Sequence, residues 1–156
     1  MNKIERRLGA RTIARERALQ ALYQVDLAQA DPADALRSAW EADDSGSQPD
    51  EATSEFAEAL VRGVLARRED LDAMVERCSH HWRVERMARI DRNILRLGAY
   101  ELTATPEIPA NIILNEAIEL AKRFGSEDSR AFINGILDRV ASEAAGRPSP
   151  SDTSSK

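Results

Sequence analysis

The sulfur and imidazole groups of Cys78, His80 and His81 are the most reactive side chains of this sequence, and they lie within four consecutive residues, CSHH. Thiolate and imidazole are preferred ligands of zinc, which needs three or four protein ligands around one ion. The chain has one cysteine and two histidines in total, so no second Cys/His group can complete a site. We therefore predict no metal site, and we interpret this segment as a helix end with two surface histidines.

Glu116 and Glu119 are the second chemical candidate, because two carboxylates on adjacent helical turns could act as a general acid and base. Nothing near them in sequence suggests a substrate pocket, and the chain has neither a glycine-rich phosphate loop nor a nucleophile elbow. We predict no catalytic residue, no enzyme activity and no cofactor. Asn115 and Glu116 are instead expected to join helices by hydrogen bonds, with Asn134 as an acceptor, and Gly135 to allow a close helix crossing.

Basic side chains are concentrated at the N-terminus. Residues 1–22, here called the basic arm, contain six basic and two acidic residues, a net charge of +4 in a chain whose total is −5. Between residues 31 and 58, nine acids accompany the single base Arg37. A basic segment on an acidic body is typical of a protein that contacts nucleic acid at one place. The alternative is a charged terminus that is only solvated.

A second set of arginines recurs at steps of three or four residues, which would align the side chains along one helical stripe. One interpretation is a solvated face paired with Glu85, Asp91 and the acidic body. The other is an extension of the basic surface. The set comprises Arg83, Arg86, Arg89, Arg92 and Arg96.

Two amphipathic helices are predicted between residues 108 and 140, separated at Gly125. The spacing of apolar residues is that of one buried face in each helix. Gly125 is expected to end the first helix in a left-handed conformation, and Ser126 or Asp128 to cap the second. The expected buried residues are Ile113, Leu114, Ala117, Ile118, Ala121 and Phe124, followed by Phe132, Ile133, Ile136, Leu137 and Val140.

The remaining pattern is also helical, with no alternating segment typical of a strand. Helices are predicted at about residues 12–30, 32–42, 51–67, 69–78 and 89–103, the third either separate from or continuous with the fourth. We therefore predict an all-α bundle of about seven helices, with one domain over residues 1–145 and a disordered polar tail over 146–156. The sequence has no apolar stretch of membrane-spanning length and no signal peptide, and its single cysteine fits a reducing cytoplasm.

Four blocks of sequence closely resemble the NusB family of bacterial transcription antitermination factors. In chain order they are ARERALQALYQVDLAQ, RIDRNILRLGAYEL, NEAIELAKRFGSEDS and FINGILD. The resemblance implies two packed three-helix bundles with an extra helix. It also implies an adaptor without enzyme activity that holds the single-stranded boxA element of nascent transcripts, notably ribosomal RNA leaders, as a heterodimer with the ribosomal protein NusE. By this resemblance, the pair is expected to be tethered to RNA polymerase and to help it pass terminators.

The resemblance also implies roles for individual residues. The basic arm and the block near the last helix correspond to the RNA-facing side, and Tyr23 and Asp91 match positions at the NusE-binding face. Thr12–Ile13 departs from the uninterrupted arginine run of some members. The residues expected at RNA are Arg6, Arg7, Arg11, Arg15, Asp128, Arg130 and Phe132.

Two alternatives belong to other functional classes. A similar helical domain occurs as an accessory domain of ribosomal RNA cytosine methyltransferases. A purely structural homodimer, in which self-association masks the RNA-facing side, is the third interpretation.

Overall fold

The computed structural model describes residues 9–42 and 48–146, which form seven α-helices and no strand. The all-α prediction and the expected number of helices are thereby confirmed. None of the described helices is both long and apolar enough to cross a membrane. Arg6, Arg7 and the tail from residue 147 lie outside the described residues. The helices are α1 (Ala10–Ala28), α2 (Pro32–Glu41), α3 (Glu51–Ala66), α4 (Arg68–Cys78), α5 (Arg89–Ala104), α6 (Ala110–Phe124) and α7 (Ser129–Ala144).

The chain divides into two compact units at Ala66 and Arg67, where α3 ends and α4 begins. Arg67 leaves the helical conformation, with φ −114° and ψ 19°, so the two helices are separate. The first unit contains α1 to α3, and the second contains α4 to α7 with a short 3-10 helix at Val84–Arg86. The single domain predicted over residues 1–145 stays a prediction.

In the first unit, α1 packs against both α2 and α3. Small residues on α1 allow this close packing, since Ala14 and Ala18 are fully buried. The helix starts follow local sequence rules. The Asp31 carboxylate accepts the N–H of Asp34 at 3.1 Å, with Pro32 in the first turn. The Asp50 carboxylate accepts the N–H of Thr53 at 2.7 Å.

In the second unit, α5 and α7 are the central pair, with α4 and α6 packed on both. Helices α5 and α7 pack closely at Gly98, because a Cβ added there would lie 2.6 Å from Cδ1 of Leu137. The close crossing expected at Gly135 is wrong, since a Cβ added to Gly135 would meet no atom within 4 Å. Asn115 and Asn134, which were expected to join helices, are exposed.

The break between α6 and α7 differs from the prediction. Gly125 is extended, with φ −94° and ψ −173°, and is not left-handed. Glycine is needed there for space, because a Cβ would lie 2.6 Å from Oγ of Ser129. Asp128 occupies the N-cap position of α7 without a side-chain cap hydrogen bond. Ser126 does not cap the helix either; its N–H donates to Oγ of Ser129 at 2.9 Å.

Candidate nucleic-acid interface

Two arginines of the basic arm lie over a single aromatic ring in the first unit. The guanidinium carbon of Arg11 is 4.7 Å from the ring centroid of Phe56, and that of Arg15 is 5.2 Å from it. A cation over an aromatic face is attracted by the ring quadrupole. Arg11 is exposed, whereas only 2% of Arg15 is exposed. Arg11 can therefore present its charge to a ligand, while Arg15 reinforces the packing beneath it.

The next arginine of α1 is also withdrawn from solvent. Arg17 and Glu16 are both buried, and Arg17 Nη1 lies 3.6 Å from Glu16 Oε2. The guanidinium of Arg17 also lies 5.6 Å from the ring centroid of Trp40 on α2. Arg15 and Arg17, two of the three basic-arm arginines that the structure describes, thus serve packing within the unit. No pattern in the sequence had indicated that these arginines lie over the rings of Phe56 and Trp40.

The second group of predicted RNA-binding residues lies at the start of α7, in the second unit. Asp128 and Arg130 are exposed, and Phe132 is half-buried, not fully buried as expected. The Phe132 ring packs edge-on against Trp82, with centroids 6.2 Å apart and an angle of 68° between the planes. Edge-to-face packing of this kind is a favourable arrangement of two aromatic rings. Trp82 therefore packs against one of the predicted RNA-binding residues, and sequence reasoning did not single out this position.

Trp82 follows a tight turn that ends α4 at Cys78, as predicted. His80 and His81 are exposed and both left-handed, with φ of 58° and 67°. That conformation costs roughly 1–2 kcal/mol per residue for side chains other than glycine. Hydrogen bonds hold the turn in place. The N–H of His81 donates to the Glu76 carbonyl at 2.8 Å, and Ser79 Oγ donates to the carbonyl oxygens of Glu76 and Trp82 at 3.1 and 3.3 Å.

The two residues expected to face a protein partner lie in different units. Tyr23 is half-buried on α1. Asp91, in the first turn of α5, is only 9% exposed. Its carboxylate accepts the hydroxyl of Ser129 at 2.7 Å, which ties the start of α5 to the start of α7. Asp91 therefore has a structural hydrogen bond within its own unit in addition to its predicted role.

Comparison with known proteins identifies the family. The sequence model of the NusB family matches residues 12–142. The chain belongs to the NusB family. The transcription antitermination protein NusB of Myxococcus xanthus is 54% identical over 134 residues, which cover 86% of this chain and 96% of that protein.

Solved structures of NusB proteins share the fold. NusB of T. maritima superposes with a TM-score of 0.76 at 31% identity, covering 96% of this chain and 99% of that one. A complex of the antitermination factors NusB and NusE with double-stranded RNA superposes with a TM-score of 0.76 at 25% identity, covering 86% of this chain and 97% of that one. The resemblance seen in four sequence blocks thus extends over most of the chain, in both sequence and fold.

The recurring arginines of this NusB family member do not form one helical stripe. Arg83 and Arg86 lie at the 3-10 helix, before α5 begins. Arg83 pairs with Glu85 at 3.2 Å, as one interpretation expected. Arg96 is buried and donates to both carboxylate oxygens of Asp72, at 2.7 and 3.0 Å. Arg96 therefore joins α5 to α4, and the two exposed arginines at the 3-10 helix remain accessible to ligands.

The environment of Cys78 favours the thiol over the thiolate. Burial and a hydrogen bond from Sγ to Glu143 at 3.4 Å raise the pKa of Cys78 to about 11. Within the described part of this NusB family chain, no cluster of three or more potential metal ligands is present. The CSHH segment accordingly forms a structured turn next to Trp82.

Proposed function

We propose that this protein is a transcription antitermination factor that binds single-stranded boxA RNA together with the ribosomal protein NusE. The observation that carries the proposal is the 54% identity to the NusB of Myxococcus xanthus over 86% of this chain. The solved complex of NusB and NusE with RNA supports the two binding activities. The protein would act by binding alone, as an adaptor.

The first unit supports RNA contact through Arg11. Its exposed guanidinium lies over Phe56, so the charge is positioned before a ligand arrives. Arginine charges neutralise phosphates and release bound counterions, which makes such binding sensitive to salt. We propose that Arg11, with Arg6 and Arg7 of the basic arm, contacts phosphates. Arg15 supports Arg11 through their common ring, and a direct contact of Arg15 with RNA stays a prediction.

The second unit supports RNA contact at the start of α7. Arg130 offers an exposed positive charge, and Phe132 offers part of an aromatic ring. Proteins hold single-stranded RNA by combining charge along the backbone with aromatic surfaces for the bases. Asp128 adds a negative charge at the same helix end. We propose that this helix end lies beside the RNA, with Asp128 limiting the affinity.

The proposed partner is NusE, with Tyr23 and Asp91 in its interface. Asp91 would supply a negative charge to a basic ribosomal protein, and charge complementarity of this kind favours both specificity and rapid association. The heterodimer would bind RNA more tightly than either component, because two proteins contribute contacts to one strand. We place its action in the cytoplasm, on nascent ribosomal RNA transcripts, where it would assist RNA polymerase in passing terminators.

The test is a fluorescence-anisotropy titration of labelled boxA RNA with the full chain, with NusE, and with both. We expect tighter binding by the mixture than by either protein, and weaker binding to a scrambled RNA of the same composition. Equal binding to the two RNAs would contradict boxA recognition. A mixture no better than the stronger component would contradict joint binding.

A further inference from the structure

Trp82 has a degree of exposure that its packing does not explain. Its side chain is 58% exposed, compared with 49% for Leu27 and 43% for Ile112, the other exposed large hydrophobic residues of the described chain. Tryptophan is usually well buried, and its rings are enriched where one molecule binds another. Single exposed apolar side chains are nevertheless common. Exposure alone therefore does not make Trp82 a binding site, and the residues around it are decisive.

Gly135 on α7 faces open space, and the helix contacts the segment around Trp82 on either side of it. Phe132 contacts Trp82. Two helical turns later, Arg139 Nη1 donates to the carbonyl of Cys78 at 3.0 Å. Gly135 falls between these two contacts on the same side of α7, three residues after Phe132 and four before Arg139. A Cβ at Gly135 would nevertheless meet no atom within 4 Å. Helix α7 therefore contacts the segment 78–82 before and after Gly135, while the space next to Gly135 itself is empty.

Packing gives no reason for glycine at this position. A glycine within a helix is less stable than alanine, because its backbone loses more freedom on folding. Gly98 has a packing reason, the contact with Leu137, but Gly135 has none. Glycine leaves this space fully open, because any other residue would place a side chain in it. Phe132 contacts the indole and lies one helical turn before Gly135, and this spacing puts the open space on the side of α7 that faces Trp82. A flat group could lie against the ring there.

The local charge indicates what kind of flat group would bind. Residues 77–92 contain five arginines and two acids. One of these arginines, Arg77, is paired with Glu143 of α7, so the remaining four against two acids leave a net charge of +2. Arg83 and Arg86 are exposed, although Arg83 shares its charge with Glu85. Aromatic rings within a positive surface are the composition of sites for single-stranded nucleic acid. The turn is also fixed by the hydrogen bonds of Ser79, so little ordering would be needed on binding.

We propose that Trp82, Phe132 and the open face at Gly135 receive one unstacked base of the bound RNA strand. The base stacks on the indole, and the neighbouring phosphates lie near Arg83 and Arg86. This inference rests on the proposed function, and it adds Trp82 and Gly135 to the residues that determine RNA affinity.

Fluorescence gives a direct test, because Trp40 and Trp82 are the only two tryptophans. In a Trp40→Phe background, stacking of a base on Trp82 should quench the emission as boxA RNA is added. A series of RNAs with one abasic nucleotide each should contain a position that removes the quenching while most of the binding remains. Quenching that no abasic position removes would overturn base stacking.

Three variants separate the pocket from general effects on folding. Trp82→Ala should weaken RNA binding by roughly 5- to 150-fold, the effect of one stacked base, whereas Trp82→Phe should retain most of it. Gly135→Gln should also weaken binding, because the new side chain occupies the open space, while the circular dichroism spectrum and melting temperature remain those of a folded chain. The matched control is Ile112→Ala, an exposed apolar side chain outside the pair, which should bind RNA normally.

The failure of this inference differs from the failure of the proposed function. If the wild-type chain with NusE does not bind boxA RNA, the proposed function fails. If it binds, and Arg11→Ala weakens the binding while Trp82→Ala and Gly135→Gln do not, only the base pocket is overturned. If those two variants lose affinity for NusE in the absence of RNA but bind RNA alone normally, the surface is a protein interface and the inference is wrong.

Discussion

Gly98 and Leu137 form a close contact between α5 and α7, since a Cβ on Gly98 would lie 2.6 Å from one Leu137 methyl carbon and 3.1 Å from the other. Leu137 is fully buried, so its methyl groups have little room to move away. The separation of the two central helices of the second unit therefore depends on the missing side chain at Gly98.

Gly98→Ala should lower the free energy of unfolding by about 1–2 kcal/mol. Overpacking a core costs about 1–3 kcal/mol, and the better helix propensity of alanine returns roughly 0.5–1 kcal/mol. Gly135→Ala is the matched control, because it makes the same substitution within a helix but in open space. It should raise stability by roughly 0.5–1 kcal/mol. Urea unfolding measures both, and effects of the same sign would contradict the close approach at Gly98.

Replacing Arg6, Arg7, Arg11 and Arg15 together with alanine should weaken RNA binding and leave the helical circular dichroism spectrum intact. Each lost phosphate contact should reduce the salt slope for a single strand by about 0.7. An unchanged slope would show that these arginines do not contact phosphates.

Arg11 and Arg15 both lie over Phe56, but their single alanine variants should have different effects, because Arg11 is exposed and Arg15 is buried. Arg11→Ala should reduce RNA affinity and the salt slope with little change in melting temperature, because Arg11 is exposed. Arg15→Ala should lower the melting temperature, because it removes a buried side chain packed on Phe56. A stable Arg15→Ala variant with the larger loss of RNA affinity would assign the phosphate contact to Arg15.

Asp128→Asn should bind boxA RNA more tightly at low salt. The substitution removes a negative charge from a helix N-terminus that would otherwise favour phosphate, and the gain in affinity should fade as salt rises. The free energy of unfolding should fall by no more than roughly 0.3–1 kcal/mol, the contribution of a negative charge at a helix N-terminus, since the Asp128 side chain makes no cap hydrogen bond. Anisotropy titrations at two salt concentrations measure the difference. Equal or weaker binding at low salt would exclude Asp128 as a limit on affinity.

Asp91→Lys should weaken NusE binding, because truncating one side of a desolvated charge pair costs roughly 2–5 kcal/mol and charge reversal should cost no less. The hydrogen bond from Ser129 to Asp91 supplies the control. Ser129→Ala loses that internal bond, worth about 0.5–1.5 kcal/mol of stability, but retains the carboxylate. Isothermal titration against NusE should therefore give nearly normal binding for Ser129→Ala. Wild-type affinity of Asp91→Lys would remove Asp91 from the interface.

Cys78 should make stability depend on pH in the alkaline range. Its pKa is raised to about 11 in the folded chain from an ordinary value of 9.0, so above pH 9.0 the unfolded chain loses the thiol proton first. The protonated Cys78 thiol therefore contributes to the free energy of unfolding in full below pH 9.0, and this contribution is lost as the pH rises towards 11. Unfolding curves of the wild type and Cys78→Ala should therefore converge between those values. A difference independent of pH would contradict the raised pKa.

The sequence by itself determined the helices and their order, because helix formation follows from local patterns. The Asp31–Pro32 start of α2 and the end of α4 at Cys78 were predicted from neighbouring residues and match the structure. Ile133 and Leu137 were expected in the core from their spacing on α7, and both are fully buried. These features depend on interactions within about one helical turn, which a sequence displays directly.

Only the tertiary structure decided which charged and small residues serve packing and which remain open. Arg11 and Arg15 look alike in sequence, but the ring that distinguishes them, Phe56, comes from a helix about 40 residues away. Gly98 and Gly135 are both glycines within helices, and only the position of Leu137 makes one of them a close contact. The spacing along a helix indicates which apolar face is buried, but which arginine or glycine meets a packed neighbour depends on atoms contributed by distant segments.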